Sequence, residues 1–110
     1  MTTKEKMKYR LILSTVPNQK TGTKIAKILV QEKLSACVNV IPKLSSFYRW
    51  KGKIESSGES LLLIKTTQSK VNILIRTLKK IHPYEVPEII SLEIKEGWKG
   101  YLDWISDSIK

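Results

Sequence analysis

The stretch His82-Pro83-Tyr84-Glu85-Val86-Pro87-Glu88 decides how the chain is read, because two prolines four positions apart fit neither a helix interior nor a central strand. Each proline lacks a backbone N–H and fixes its own φ, so the segment is a stiff connection. Upstream, Val71, Leu74, Ile75, Leu78 and Ile81 recur at helical spacing. Downstream, Ile90, Leu92 and Ile94 alternate with Ser91, Glu93 and Lys95, as in a half-buried strand. A helix, a rigid loop and a strand therefore follow one another. The loop also holds the only histidine, an aromatic ring and two acids, which makes it the first place to look for chemistry.

Working outward, Ser69 is expected to cap the helix Lys70 to Ile81. Before it, Glu59 to Thr67 reads as a strand that returns from a hairpin turn at Lys51-Gly52-Lys53 through Ile54-Glu55, with an irregularity at Ser56-Ser57-Gly58. Its partner spans Ser35 to Trp50 and bends at Pro42, with an aromatic second half that projects. Tyr9 to Val16 is apolar on both parities and reads as the central strand. Thr21-Gly22-Thr23 is expected to form a turn and cap before a helix that runs to about Lys33. A last short helix, from Lys99 to Ile109, would point Leu102, Ile105 and Ile109 inward and Asp103 and Asp107 outward. The order β-α-β-β-α-β plus a helix predicts an α+β, ferredoxin-like split βαβ fold, with two helices on one face of a four-stranded antiparallel sheet. The second face is also apolar, and with no further helix to cover it a second copy of the chain is expected there.

Composition narrows the class. A chain of 110 residues makes one domain, here 9–110 after a flexible lead of residues 1–8. No apolar run approaches the roughly 18 residues of a membrane span, so no membrane partner is expected. The polar start Met1 to Lys8 lacks a signal-peptide core, and Cys37 is the only cysteine; both point to the reducing cytoplasm. The net charge of +10 is carried by lysines dispersed along the sequence with only three arginines, which argues for surface charge and no nucleic-acid partner. An RNA-binding version of this fold would also need aromatics on its central strands, where leucines stand instead. No glycine-rich anion loop follows the first strand and no nucleophile neighbours a base, so no enzyme is expected.

Four separated motifs then converge: Ala36-Cys37-Val38-Asn39-Val40-Ile41-Pro42, Tyr48-Arg49-Trp50-Lys51-Gly52-Lys53, Lys65-Thr66-Thr67 and the His82 loop, followed by Tyr101-Leu102-Asp103-Trp104. Together they resemble the CutA divalent-cation tolerance family. The resemblance implies a PII-like homotrimer, a role in divalent metal (copper) tolerance, and clefts at subunit boundaries. In some bacterial members a first-strand cysteine and a pair of adjacent histidines accompany the metal. Here Ser14 and Ile81 stand at two of those positions, which leaves His82 as the metal candidate, with copper or another divalent cation as the cofactor. A trimeric signalling or scaffold protein resembling PII, without intrinsic metal binding, is the alternative.

The cleft is expected to collect Cys37 and Asn39 from the second strand, Tyr48 and Trp50 from the hairpin, and His82, Tyr84 and Glu88 from the loop. Lys65, on an otherwise apolar strand, needs a carboxylate such as Glu59 or Glu88. Such a group could take a small anion or metabolite. The plainer readings are His82 as a loop anchor, Cys37 as a small buried hydrophobe, and Tyr48, Trp50 and Trp104 as packing aromatics.

Overall fold

Alternation along the central strand sets the architecture: Ile12, Ser14 and Val16 are fully buried while Leu11, Leu13 and Thr15 are only half-buried. The computed structural model describes residues 8–110. Within it, β1 (Tyr9–Val16), α1 (Gln19–Gln31), β2 (Cys37–Trp50), β3 (Lys53–Thr67), α2 (Val71–Ile81), β4 (Ile90–Ile94) and α3 (Lys99–Ser108) form one antiparallel sheet of order β2-β3-β1-β4 with three helices. This is the expected α+β split βαβ order. Of the expected flexible lead, residues 1–7 lie outside the described residues; the Lys8 carbonyl accepts the Gln68 N–H at 2.9 Å.

The core forms where Ile12, Val16, Leu62 and Ile64 meet Ile25 and Leu29 of α1 and Val71, Leu74 and Leu78 of α2. Both crossover helices therefore seal the same sheet face. α1 starts earlier than its sequence signals indicate. Asn18 is the N-cap, its Oδ1 accepting the Thr21 N–H at 2.8 Å, so Thr21-Gly22-Thr23 is helix and not turn. Gly22 is there for contact: a Cβ on it would lie 3.2 Å from Val16, 3.2 Å from Val40 and 3.3 Å from Leu62. Ser69 does not cap α2 either. It sits in a 3₁₀ turn, Gln68–Lys70, with its hydroxyl 3.1 Å from that of Thr67.

The single irregularity of the β2–β3 ladder falls between Ile41 and Leu44, on the β2 side, while Ser56, Ser57 and Gly58 pair without a break. The expected irregularity at Ser56-Ser57-Gly58 is thus absent, because Pro42, which has no N–H to give, already takes up the extra residue in β2. Lys43 adopts a φ of 62° at that bulge. One inserted residue switches side-chain parity. Cys37, Asn39 and Ile41 share a face with Lys65, Leu63 and Leu61, and beyond the bulge Leu44, Ser46, Tyr48 and Trp50 share that same face with Glu59, Ser57, Glu55 and Lys53. Lys51 (φ 51°) and Gly52 (φ 81°) then close the hairpin as a two-residue turn of type I′.

The second face is covered by the chain itself at one end only. There α3 buries Ile105 and Ile109 and brings Tyr101 against Cys37, while Tyr9 and Thr67, cross-strand partners in the same end row, are buried. The sequence expectation that another copy must cover this whole face is corrected to that extent. Beyond α3 the face stays apolar and open, with Ile41, Ile90 and Leu92 exposed and Leu13, Leu61 and Leu63 half-buried. β4 therefore turns its apolar side away from the core.

Folding also gathers the charge that looks dispersed in the sequence. The two crossover helices and their flanks, residues 19–33 and 68–81, carry eight of the twenty basic residues and one of the ten acids, Glu32. The helical layer is a basic surface.

Candidate functional site

The His82 loop crosses from the sealed side of the sheet to the open side around the end of β1. His82 itself is buried, the residue at which α2 ends. Its Nε2 lies 2.9 Å from the Thr15 carbonyl and so carries the proton, and its Nδ1 accepts the Tyr84 N–H at 3.1 Å. Both ring nitrogens are engaged by backbone, and burial holds the imidazole below its ordinary pKa, against the opposing pull of the Thr15 carbonyl and Glu59. This is the loop-anchor geometry. A metal at His82 would have to displace one of the two bonds, and among the described residues no three His, Cys, Asp or Glu side chains are grouped to hold an ion. Ser14 lies fully buried on the sealed side, its hydroxyl without a hydrogen-bond partner, one residue out of phase with the cleft.

Beyond His82 the chain turns Tyr84 back over the sheet, ring centroids 4.9 Å apart, so that its hydroxyl donates to Glu59 Oε2 at 2.6 Å. Glu59 is 7% exposed. Burial, then the carboxylate that accepts its proton, raises the Tyr84 hydroxyl far above the usual tyrosine range. Around this pair opens a cleft of about 790 Å³, walled on one side by the hairpin residues Tyr48, Arg49 and Trp50 and on the other by Glu85, Val86 and Glu88. The Tyr48 hydroxyl is 2.7 Å from that of Ser57, which fixes the ring at the cleft wall. The β2 bulge makes this possible, since without the parity switch Tyr48 and Trp50 would face away from Glu59.

The structure thus splits the expected site in two. Tyr48, Trp50, Glu59, Tyr84 and Glu88 line the cleft, with His82 beneath it as the anchor. Cys37, Asn39 and Lys65 form a separate cluster further along the open face, where Lys65 Nζ donates to Asn39 Oδ1. The expected partners of Lys65, Glu59 and Glu88, are not its partners: Glu59 is six residues along the same strand, about 20 Å away, whereas Asn39 is a diagonal cross-strand neighbour. Cys37 is half-buried and meets the Tyr101 hydroxyl, which burial and then Cys37 push up. The sequence reading missed Thr15, whose carbonyl orients His82 and whose residue lines the cleft. A backbone acceptor leaves no trace in composition. Tyr101 was signalled by its motif but not by its contact.

These features define a ferredoxin-like protein with a projecting hairpin and a cleft at the open end of its sheet. The model of the CutA1 divalent ion tolerance protein family matches residues 10–108, and the chain belongs to that family. It is 47% identical to the divalent-cation tolerance protein CutA of Thermus thermophilus over 98 residues, 89% of this chain and 95% of that one. It is 50% identical to a protein CutA homolog of Xenopus laevis over 95 residues, 86% of this chain but 63% of that one, so it spans less than two-thirds of that relative. The crystal structure of CutA from Xylella fastidiosa superposes with a TM-score of 0.90 at 44% identity, covering 93% of this chain and 98% of that one. Relatives differ in compartment: a similar protein of Arabidopsis thaliana is named chloroplastic and one of Archaeoglobus fulgidus periplasmic. Among the described residues no helix is long and apolar enough to cross a membrane.

Proposed function

We propose that this chain is a non-catalytic homotrimer acting in divalent-cation tolerance, with a small-ligand cleft between hairpin and His82 loop at each subunit boundary. The observation that carries the reading is the open apolar face beside the cleft. Ile41, Ile90 and Leu92 are exposed on the same face as Glu59, so a second copy seated there would bury them and border the cleft. Family membership supplies the link to divalent cations; copper is the ion to test first. A non-catalytic role is favoured because the one histidine spends both nitrogens on backbone and offers no free base.

A second reading, a PII-like signalling or scaffold trimer without intrinsic metal binding, is favoured by the same engagement of His82 and by the acids of the cleft not being grouped with it as a ligand set. The native mass at micromolar concentration, followed by thermal shift with copper(II) and zinc(II), separates the two. A trimer stabilised by a cation supports the first reading and an indifferent trimer the second; a monomer at all concentrations overturns both.

A further inference from the structure

We propose that the cleft takes a small aliphatic diamine, one ammonium held by Glu59 among the aromatic rings of the hairpin. The inference rests on the reading of the cleft as the ligand site, and it names the ligand's chemistry.

Charge comes first. The chain carries +10 overall, yet the cleft reverses the sign, with Glu59, Glu85 and Glu88 against Arg49. Lys65, which would have favoured an anion, lies outside it. Glu59 is the decisive residue. It is more than nine-tenths buried, one oxygen is satisfied by the Tyr84 hydroxyl, and no lysine or arginine among the described residues forms an ion pair with it. A buried carboxylate is retained at lowest cost where a cation arrives to pair with it.

Size and lining then choose among cations. The cleft, about 790 Å³ and partly open to solvent, has room for a small molecule. The walls mix acids with Tyr48 and Trp50, whose π faces attract an ammonium and give a metal ion no ligand. The Lys51 ammonium already lies over the Trp50 ring, 5.9 Å from its centroid, so a ligand ammonium would have to use Tyr48 or displace Lys51. Glu85 and Glu88, both exposed at the mouth, suit a second ammonium at the far end of a short alkyl chain.

Titration calorimetry of the full chain with 1,5-diaminopentane, beside 1,5-pentanediol and glutarate as neutral and anionic matches, tests this. Saturable binding of the diamine alone is expected. Glu59→Gln keeps an acceptor for Tyr84 while removing the charge, and should weaken binding at least tenfold with the native mass unchanged; Trp50→Leu should weaken it several-fold. Should Glu59→Gln not fold, Trp50→Leu and Glu88→Gln carry the test. Equal binding of the diol or glutarate, or undiminished binding by the variants, overturns the proposal. Saturation by copper(II) with no response to the diamine also overturns it but leaves the cleft as a ligand site; silence towards every probe removes both.

Discussion

The two faces of the sheet are built from the same strands with the same alternation, yet they have different fates. On one, Ile12, Leu62 and Ile64 are fully buried beneath α1 and α2. On the other, Leu13, Leu61 and Leu63 remain half-buried and Ile41, Ile90 and Leu92 exposed. The polar residues follow the same division. The sealed core tolerates hydroxyls, such as Ser14 and Thr66, whereas Cys37, Asn39, Glu59 and Lys65 all stand on the open face. Apolar content does not distinguish the faces, and neither does charge, since Arg10 and Glu93 share the sealed parity; what differs is the cover that α1 and α2 provide. The sealed face serves stability, and the open face carries the cleft.

The largest expected effect comes from breaking the sealed face. Leu74→Ala removes a fully buried side chain from α2 and should cost about 3 kcal/mol, at any protein concentration. Leu63→Ala, on the open face, should cost less than about 1 kcal/mol in dilute solution, and the proposed trimer predicts a loss that grows as concentration rises. Urea unfolding across a hundredfold concentration series measures both. Equal, concentration-independent losses would erase the distinction between the faces.

Sequence alone carried most of the fold because its signals are local. β1 runs from Tyr9 to Val16 as its apolar run predicts, and the Lys51-Gly52 turn is chemically specified. The misreadings are local. Gly22 and Ser69 carry turn and cap propensities, but the Asn18 cap starts the helix ahead of Gly22, and Ser69 lies in a 3₁₀ turn with its hydroxyl on Thr67. The site was legible where its residues are contiguous, as in the His82 loop. It was not legible where it depends on register: the Lys65–Asn39 pair follows from which residues face each other across β2 and β3, and the Thr15 carbonyl from where a loop crosses a strand end.

A smaller effect is expected at the tightest point of the sealed face. In an open helix Gly→Ala gains about 1 kcal/mol, but at Gly22 the new methyl would meet Val16, Val40 and Leu62 at 3.2–3.3 Å. Val16 and Leu62 are fully buried and have little room to give, so an overpacking cost of about 1–3 kcal/mol should outweigh the propensity gain. Gly22→Ala is therefore expected to be destabilising by about 1 kcal/mol in thermal unfolding. A stabilised variant would mean that the sealed face yields as readily as the open one.

The smallest effect concerns the loop that joins the two faces. His82 is held neutral by burial, with Lys79 acting in the same direction and the Thr15 carbonyl and Glu59 opposing. Above about pH 6.5 the imidazole is neutral in both folded and unfolded chains and its contribution is complete. As pH falls below that value the unfolded chain takes up the proton first, so stability is lost until the pH passes the lowered folded value. Protonation would also turn Nδ1 from acceptor to donor against the Tyr84 N–H, so acid should loosen the segment that carries Tyr84 to Glu59. With no second histidine to contribute, a fall in Tm of a few degrees between pH 7 and pH 5 should flatten in His82→Asn. A wild-type chain whose Tm is flat over that window would show that the crossing is not held by the neutral imidazole.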